Sequence, residues 1–98
     1  MVVEELAKAA LETTQFLVAT FEVGAESSPP GTAQHHAGQE WIYVVRGAFD
    51  VTVGFDRHEL RAGDSIAFPS VVPHRVANTG DEPAVAIFVL GGSRLIPD

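Results

Sequence analysis

The fold of this chain is decided by residues 34–47, which read QHHAGQEWIYVVRG. The first half is polar and holds two of the four histidines, and the half that follows Glu40 is an apolar and aromatic run typical of a β-strand. A third histidine, His74, follows Pro73 in a second short segment. Imidazole and carboxylate are ligands that divalent first-row metals prefer. The two segments together therefore predict a metal site beside β-strands.

Alternation along an extended chain divides the candidate ligands between two faces. Successive side chains of a strand point to opposite faces, so Gln34, His36 and Glu40 would share one face and His35 would take the other. Gly38 lies between them and can shift this register. The alternation alone therefore favours the first set and leaves His35 open.

Short apolar runs separated by turn residues continue through the rest of the chain. Residues 17–23 alternate between an apolar and a mixed face, 48–53 alternate in the same way, and 84–90 are apolar on both faces. Residues 41–45 are also apolar on both faces, which predicts burial on both sides. Gly, Pro and Asp occupy the connections. Many short strands at even spacing predict a β-sandwich or a barrel.

The first residues follow a helical period instead. Apolar side chains occur at 3, 6, 7, 10 and 11, a spacing that predicts an amphipathic helix near residues 3–12. The alternative is a frayed terminus that becomes helical only when docked. We therefore divide the chain into an N-terminal segment, residues 1–14, and a barrel, residues 15–98.

Composition restricts the classes of function. The chain has 98 residues, of which 46% are hydrophobic, enough for a single domain with one core. The net charge is −7 with only six Lys plus Arg, which argues against nucleic-acid binding. The apolar runs are too short to cross a membrane, and the acidic start lacks a secretory signal. With no cysteine, a cytoplasmic location is expected.

Two spaced motifs resemble the signature motifs of the cupin superfamily. The matches to the first motif are Gly31, His36, Glu40 and Gly47, and the matches to the second are Gly63, Pro69, His74 and Asn78. The likeness covers roughly residues 15–91, and two linked motifs at correct gaps are a specific signal. The resemblance implies an all-β fold, the double-stranded β-helix or jelly-roll barrel of the cupins.

The resemblance also implies a metal set of Gln34, His36, Glu40 and His74. The first histidine of the family's pair is replaced by Gln34, whose amide oxygen is a weaker ligand for transition metals. The metal would be divalent Mn, Fe, Ni, Cu or Zn. Two alternatives are a local bulge that brings His35 inward and a pocket that keeps these polar groups without metal. His58 matches no motif and is interpreted as a surface residue.

Cupin barrels serve as dioxygenases, isomerases, lyases, storage proteins and sensing halves of regulators, so the fold does not settle the function. Residues 38–47 are similar to the cupin half of bacterial helix-turn-helix regulators. We expect a metal-binding module whose pocket takes a small organic molecule, either a stand-alone relative or a fragment of a longer regulator. The alternative is a metal-dependent enzyme of dioxygenase or isomerase type. No catalytic residue is predicted, because the inward neighbours of Glu40 would be Ile42, Val44 and Arg46.

One strand carries a second apolar face. Trp41, Tyr43 and Val45 would point away from the barrel interior, and exposed aromatic surface of this kind requires cover. We therefore predict a homodimer, with the second chain packing near Phe16–Phe21, unless the N-terminal segment covers the strand. The pocket mouth is expected near the loop Ser70–Pro73, which presents His74.

Overall fold

The computed structural model describes residues 1–5, 14–27 and 38–91. Their strands are β1 (Val2–Glu5), β2 (Thr14–Phe21), β3 (Gln39–Arg46), β4 (Ala48–Val53), β5 (Asp56–Arg61), β6 (Ser65–Pro69), β7 (His74–Ala77) and β8 (Ala84–Gly91). Within these ranges the chain forms no helix, and so none that could span a membrane.

The strands form two sheets in which every pairing is antiparallel. The larger sheet has the order β1-β2-β8-β3-β6, and the smaller has the order β5-β4-β7. The chain repeatedly crosses from one sheet to the other, for example between β3 and β4 and again between β7 and β8. This double-sheet antiparallel arrangement confirms the predicted jelly-roll barrel.

The core lies between the two sheets and is built by strand alternation. On β3 the even-numbered Ile42 and Val44 are fully buried, and on β4 the odd-numbered Phe49 and Val51 face them. The ring of Phe21, at the end of β2, meets Phe49 edge to face with centroids 5.1 Å apart. Edge-to-face contact is a preferred geometry for aromatic pairs. The inward faces of the two sheets therefore close one apolar core.

The predicted N-terminal helix is wrong at Val3–Glu5, because these residues lie in β1. Strand β1 pairs with β2, and the pairing runs from Val2 with Thr20 to Glu5 with Leu17. Without β1, one side of β2 would leave its backbone N–H and C=O groups unpaired, and this pairing satisfies them. A contact distant in sequence therefore overrides the local helical period. Residues 6–12 of the predicted helix lie outside the described residues.

Strand β3 also departs from the sequence expectations in two ways. A register shift between Val44 and Arg46 pairs Arg46 with Val85 and brings it to the outer face, so Arg46 is not an inward neighbour of Glu40. A bulge of this kind adds one residue to a strand and reverses the facing of those beyond it. Burial of β3 on both faces is wrong as well: Trp41 is 42% exposed and Tyr43 is 47% exposed.

The outer face of the smaller sheet carries a charged network around Asp50. Arg57 Nη2 donates hydrogen bonds to both carboxylate oxygens of Asp50, each at 2.9 Å, and the Thr79 hydroxyl donates a third at 3.0 Å. The hydrogen bond from Arg57 is the main cause that holds the pKa of Asp50 below its usual 3.8. The ionised carboxylate is therefore the form that the folded state favours.

Asp50→Asn is expected to lower the melting temperature at neutral pH and to lose this effect in acid. Because the folded pKa lies below the unfolded one, the carboxylate stabilises the fold above pH 3.8, and that stabilisation disappears as the pH falls through the lowered pKa. Thermal melts of both proteins across this range check the prediction. The exposed Asp81→Asn serves as a control that should change the melting temperature little at neutral pH. A difference between wild type and Asp50→Asn that stayed constant down to the lowest pH would contradict the assignment.

Candidate metal and ligand site

Glu40 lies near the start of β3 and points into the barrel. It shares the inward face with Ile42 and Val44, and its side chain is only 15% exposed. Across the sheet it pairs with Leu90 on one side and with Phe68 on the other. The structure thus places the carboxylate on the face that alternation predicts, among apolar neighbours.

His74 reaches the same place from the opposite sheet. It is the first residue of β7, pairs with Val53 and faces inward like the buried Val76. Its side chain is 20% exposed, and its Nε2 lies 3.4 Å from Oε2 of Glu40. The two sheets therefore bring together the two candidate ligands that the structure describes.

The imidazole of His74 is held in one orientation. Its Nδ1 lies 2.8 Å from the carbonyl oxygen of Val72, and its ring lies 4.9 Å from that of Phe68. A carbonyl oxygen can only accept, so Nδ1 carries the proton of this hydrogen bond. In the neutral ring Nε2 then presents its lone pair toward Glu40. A backbone carbonyl is one of the usual hydrogen-bond partners of the second ring nitrogen in a metal-binding histidine.

The spacing of the two donors fits a shared metal ion. The 3.4 Å between Nε2 and Oε2 is longer than a typical N–H···O hydrogen bond, which spans about 2.7–3.2 Å. Two ligands of one tetrahedral ion, with bonds of about 2.1 Å, lie about 3.4 Å apart. A neutral imidazole nitrogen and a carboxylate are also the donor types that such ions prefer. This pair is therefore suited to a divalent metal.

The remaining candidate ligands are not described. Gln34, His35 and His36 lie in the range 28–37, outside the described residues, so the choice between Gln34 and His35 stays a prediction. Within the described parts of the chain, no group of three His, Asp or Glu side chains could hold a metal. Glu40 and His74 thus form only part of the predicted set.

Three other polar residues have surface or structural roles, and for His58 this is the role that the sequence predicts. His58 is exposed on β5. Asp64 closes the turn after β5, since its Oδ2 accepts a hydrogen bond from the Arg61 amide at 2.9 Å. Asn78 is 1% exposed, and its side chain hydrogen-bonds three backbone groups, which ties the end of β2 at Phe21 to the loop that holds Gly80 and Glu82. Each of the three therefore has a surface or structural role.

Gln15 is a candidate site residue that the sequence analysis missed. It pairs with Leu90, which pairs in turn with Glu40, so the three residues form one row across the sheet. Two strand spacings separate Gln15 from Glu40, or roughly 10 Å between backbones. Alternation with the buried Ala19 and Phe21 places Gln15 on the inward face of β2. Because its side chain is exposed, Gln15 lies at an end of the barrel that is open to solvent. The two-residue period of Leu17, Ala19 and Phe21 would have indicated this position, because Gln15 continues the same parity.

Comparison with known proteins gives a family match and related curated sequences. The family model described as "Cupin domain" matches residues 17–90. The protein SchB of Streptomyces halstedii is 41% identical over 64 residues, a stretch that covers 65% of this chain and 46% of SchB. The chain therefore spans less than half the length of this curated relative.

Solved structures share the same architecture. A cupin 2 conserved barrel protein from Salinispora arenicola aligns with a TM-score of 0.75 at 20% identity, covering 95% of this chain and 76% of that one. The Cupin_2 domain of an XRE family transcriptional regulator from Enterobacter cloacae aligns with a TM-score of 0.79 at 18% identity, covering 93% and 95%. Likeness at this level of identity shows the fold alone.

Proposed function

This chain belongs to the cupin family, whose domain model covers residues 17–90, and on that premise we propose that it is a small metal-binding module for a small organic molecule. The observation that carries the proposal is the pair of Glu40 and His74, whose donor atoms lie 3.4 Å apart at the inner surface of an apolar barrel. Both ligand types suit a divalent transition metal.

The proposed metal is Mn, Fe, Ni, Cu or Zn, held by His36, Glu40 and His74 with Gln34 as the fourth and weakest ligand. A bound metal of this kind supplies Lewis acidity toward an oxygen of the small molecule. The carbonyl of Val72 keeps the imidazole of His74 oriented toward Glu40. Leu90 and Phe68 flank Glu40 in the sheet and limit the access of water to it.

Apolar walls with a few convergent polar groups support a small-molecule pocket. Beyond Glu40 and His74, the amide of Gln15 is available at the open end to hydrogen-bond a ligand. The loop before His74 is anchored, because the Ser70 amide donates to the carbonyl of Gly38 at 2.8 Å, next to the start of β3. The loop therefore helps to fix the position of His74 relative to Glu40.

Binding or sensing is favoured over catalysis by the surroundings of Glu40. Its inward neighbours on β3 are Ile42 and Val44, which can neither donate nor accept a proton. The alternative remains a metal-dependent enzyme of dioxygenase or isomerase type, in which Glu40 would be ligand or proton acceptor. Oxygen uptake or substrate turnover by the metal-loaded protein would favour the enzyme, and affinity without turnover would favour the binding module.

A cytoplasmic location belongs to the same proposal, supported by the absence of cysteine from the sequence. The net charge of −7 supports a partner other than nucleic acid.

Metal is expected to raise the melting temperature strongly. A ligand that binds only the folded state at 100 times its Kd stabilises the fold by about 2.7 kcal/mol, which corresponds to roughly 10–20 °C in a domain of this size. Differential scanning fluorimetry with Mn, Fe, Co, Ni, Cu and Zn salts measures the shift. The shift should vanish in His74→Ala and decrease in Glu40→Gln.

The exposed His58→Ala is the matched control, because it removes an imidazole that lies outside the site. Its metal-induced shift should equal that of the wild type. Full metal content in a His36→Ala, His74→Ala double variant would contradict the ligand set. Metal loss in His35→Ala without any loss in Gln34→Ala would also contradict it, because His35 would then be the ligand in place of Gln34. No shift with any of the six metals would leave a barrel without a metal site.

A further inference from the structure

The space between the two sheets is open at the Glu40 end, and its wall there is apolar. Four inward side chains form the next row from Glu40 toward the core: Leu17, Phe88, Ile42 and Ile66. All of them except Ile42 are only half-buried, although they face inward. One row deeper, Ala19, Ala86 and Val44 are at most 3% exposed, so the core closes there. The half-buried row is therefore the floor of a space that solvent can enter.

No cationic side chain of the described residues faces this space. The four described arginines, all at outward positions of their strands, are Arg46, Arg57, Arg61 and Arg75. The charged groups on the inward side are Glu40, His74 and, exposed on the edge strand β5, Asp56 and His58. A phosphate or carboxylate group would lose water at this wall without a cation to compensate for it. The wall therefore disfavours an anionic ligand.

Hydrogen-bonding groups occur at the two ends of one row above this floor. Gln15, Leu90 and Glu40 are consecutive across β2, β8 and β3, so roughly 10 Å separate the two outer backbones. Leu90, which lies between them, offers no side-chain hydrogen bond. Beyond Glu40, Phe68 is 5% exposed, and its ring lies 4.9 Å from that of His74. A ligand along this row would meet a polar group at each end and apolar side chains between them.

We propose that the ligand is a neutral, ring-bearing molecule with an oxygen at each end, and that Gln15 selects it by binding the oxygen that lies away from the metal. The inference rests on the proposed function, because it starts from a small-molecule pocket at Glu40 and His74. A flat ring would bury apolar area on the floor of the space, and Phe68 and Phe88 favour ring partners. The Gln15 amide can both donate and accept, so it suits a hydroxyl or a carbonyl oxygen.

Isothermal titration calorimetry with four probes tests the class of ligand. The probes are a naphthalenediol with hydroxyls at opposite ends of its fused rings, the naphthol with one of them, the same naphthol with a sulfonate in place of the second hydroxyl, and glucose. On metal-loaded protein, the diol should bind about 3- to 10-fold more tightly than the naphthol, the effect of one neutral hydrogen bond. The sulfonate and glucose should bind at least about 10-fold more weakly than the diol.

Gln15→Leu isolates the contribution of the amide. It should abolish the preference for the diol over the naphthol, and a retained metal-induced thermal shift would show that the variant is folded. Gln39→Leu is the matched control, because Gln39 is exposed on the outward side at the same end of the sheet. It should keep the preference. Gln15→Arg should raise the affinity for the sulfonate by about 10-fold, because it supplies the missing cation.

Two outcomes would overturn the proposal while the metal site stands. The first is metal-loaded wild type that binds glucose or the sulfonate more tightly than the diol, or binds none of the four probes. The second is a folded Gln15→Leu that keeps the full preference for the diol. If no metal shifts the melting temperature, the proposed metal site fails instead. The same titrations of the metal-free protein then decide the inference, since the preference set by Gln15 does not require the metal.

Discussion

Gly47→Ala is expected to destabilise the fold more than the same substitution at Gly24, Gly54, Gly63 or Gly80. Gly47 connects β3 to β4 with φ at +77°, and a Cβ there would lie 2.9 Å from Ala84 Cα and 2.9 Å from the carbonyl oxygen of Pro83. The left-handed backbone costs an L-residue about 1–2 kcal/mol. Overpacking adds about 1–3 kcal/mol. The loss of about 2–5 kcal/mol is large beside a total stability of about 5–15 kcal/mol.

Gly63→Ala separates the two causes. Gly63 also has a positive φ, +94°, but a Cβ there would meet no atom within 4 Å. It should therefore show the backbone cost without the clash. Urea denaturation measures the free energy of unfolding of both variants. The extra loss in Gly47→Ala is caused by the close approach of Gly47 to Pro83 and Ala84, where β8 begins. Equal losses in the two variants would mean that the chain around Ala84 moves aside freely.

Asn78→Asp is expected to produce the second large loss of stability, and this loss should grow as the pH rises. The Asn78 amide donates to the carbonyl oxygens of Phe21 at 2.9 Å and Glu82 at 2.8 Å, and its Oδ1 accepts from the Gly80 amide at 2.9 Å. A carboxylate at this position, which is 1% exposed in the wild type, would face two acceptors without a proton to donate. Leaving the two carbonyls unpaired costs about 2–4 kcal/mol.

The pH profile distinguishes this effect from a simple loss of packing. Burial and the two facing carbonyls would raise the pKa of the new carboxyl in the folded state above about 3.9, its value in the unfolded chain. Between these two pKa values the folded state binds more protons than the unfolded state. The free energy of unfolding therefore falls as the pH rises from about 3.9 to the raised pKa of the folded state. Asn78→Ala lacks the ionisable group and should show no added pH dependence. Denaturant midpoints at several pH values check both variants, and parallel profiles would contradict the assignment.

Strand alternation allowed much of the fold and part of the site to be predicted from local sequence. The jelly-roll barrel was predicted because Gly, Pro and Asp separate runs with a two-residue period, and the structure confirms it. Glu40 was placed inward because it shares parity with Ile42 and Val44, which are fully buried. A two-residue period is a property of each strand by itself, so no partner strand is needed to read it.

Strand pairing decided what the local pattern could not. Val3 to Glu5 have a helical period, yet they form β1 because β2 presents an edge that needs a partner. Arg46 would have pointed inward by parity, but the bulge in the ladder with β8 brings it to the outer face. Both outcomes depend on hydrogen bonds to strands that are distant in sequence.

The sequence by itself determined the strand periodicity, the inward facing of Glu40 and the choice of His74 as a candidate ligand. Only the tertiary structure decided that their donor atoms lie 3.4 Å apart, and that Val72 orients the imidazole. Only the sheet order revealed that Gln15 shares a row with Glu40. The physical reason is that alternation assigns each side chain to a face, whereas distances between faces follow from how strands pair and sheets pack.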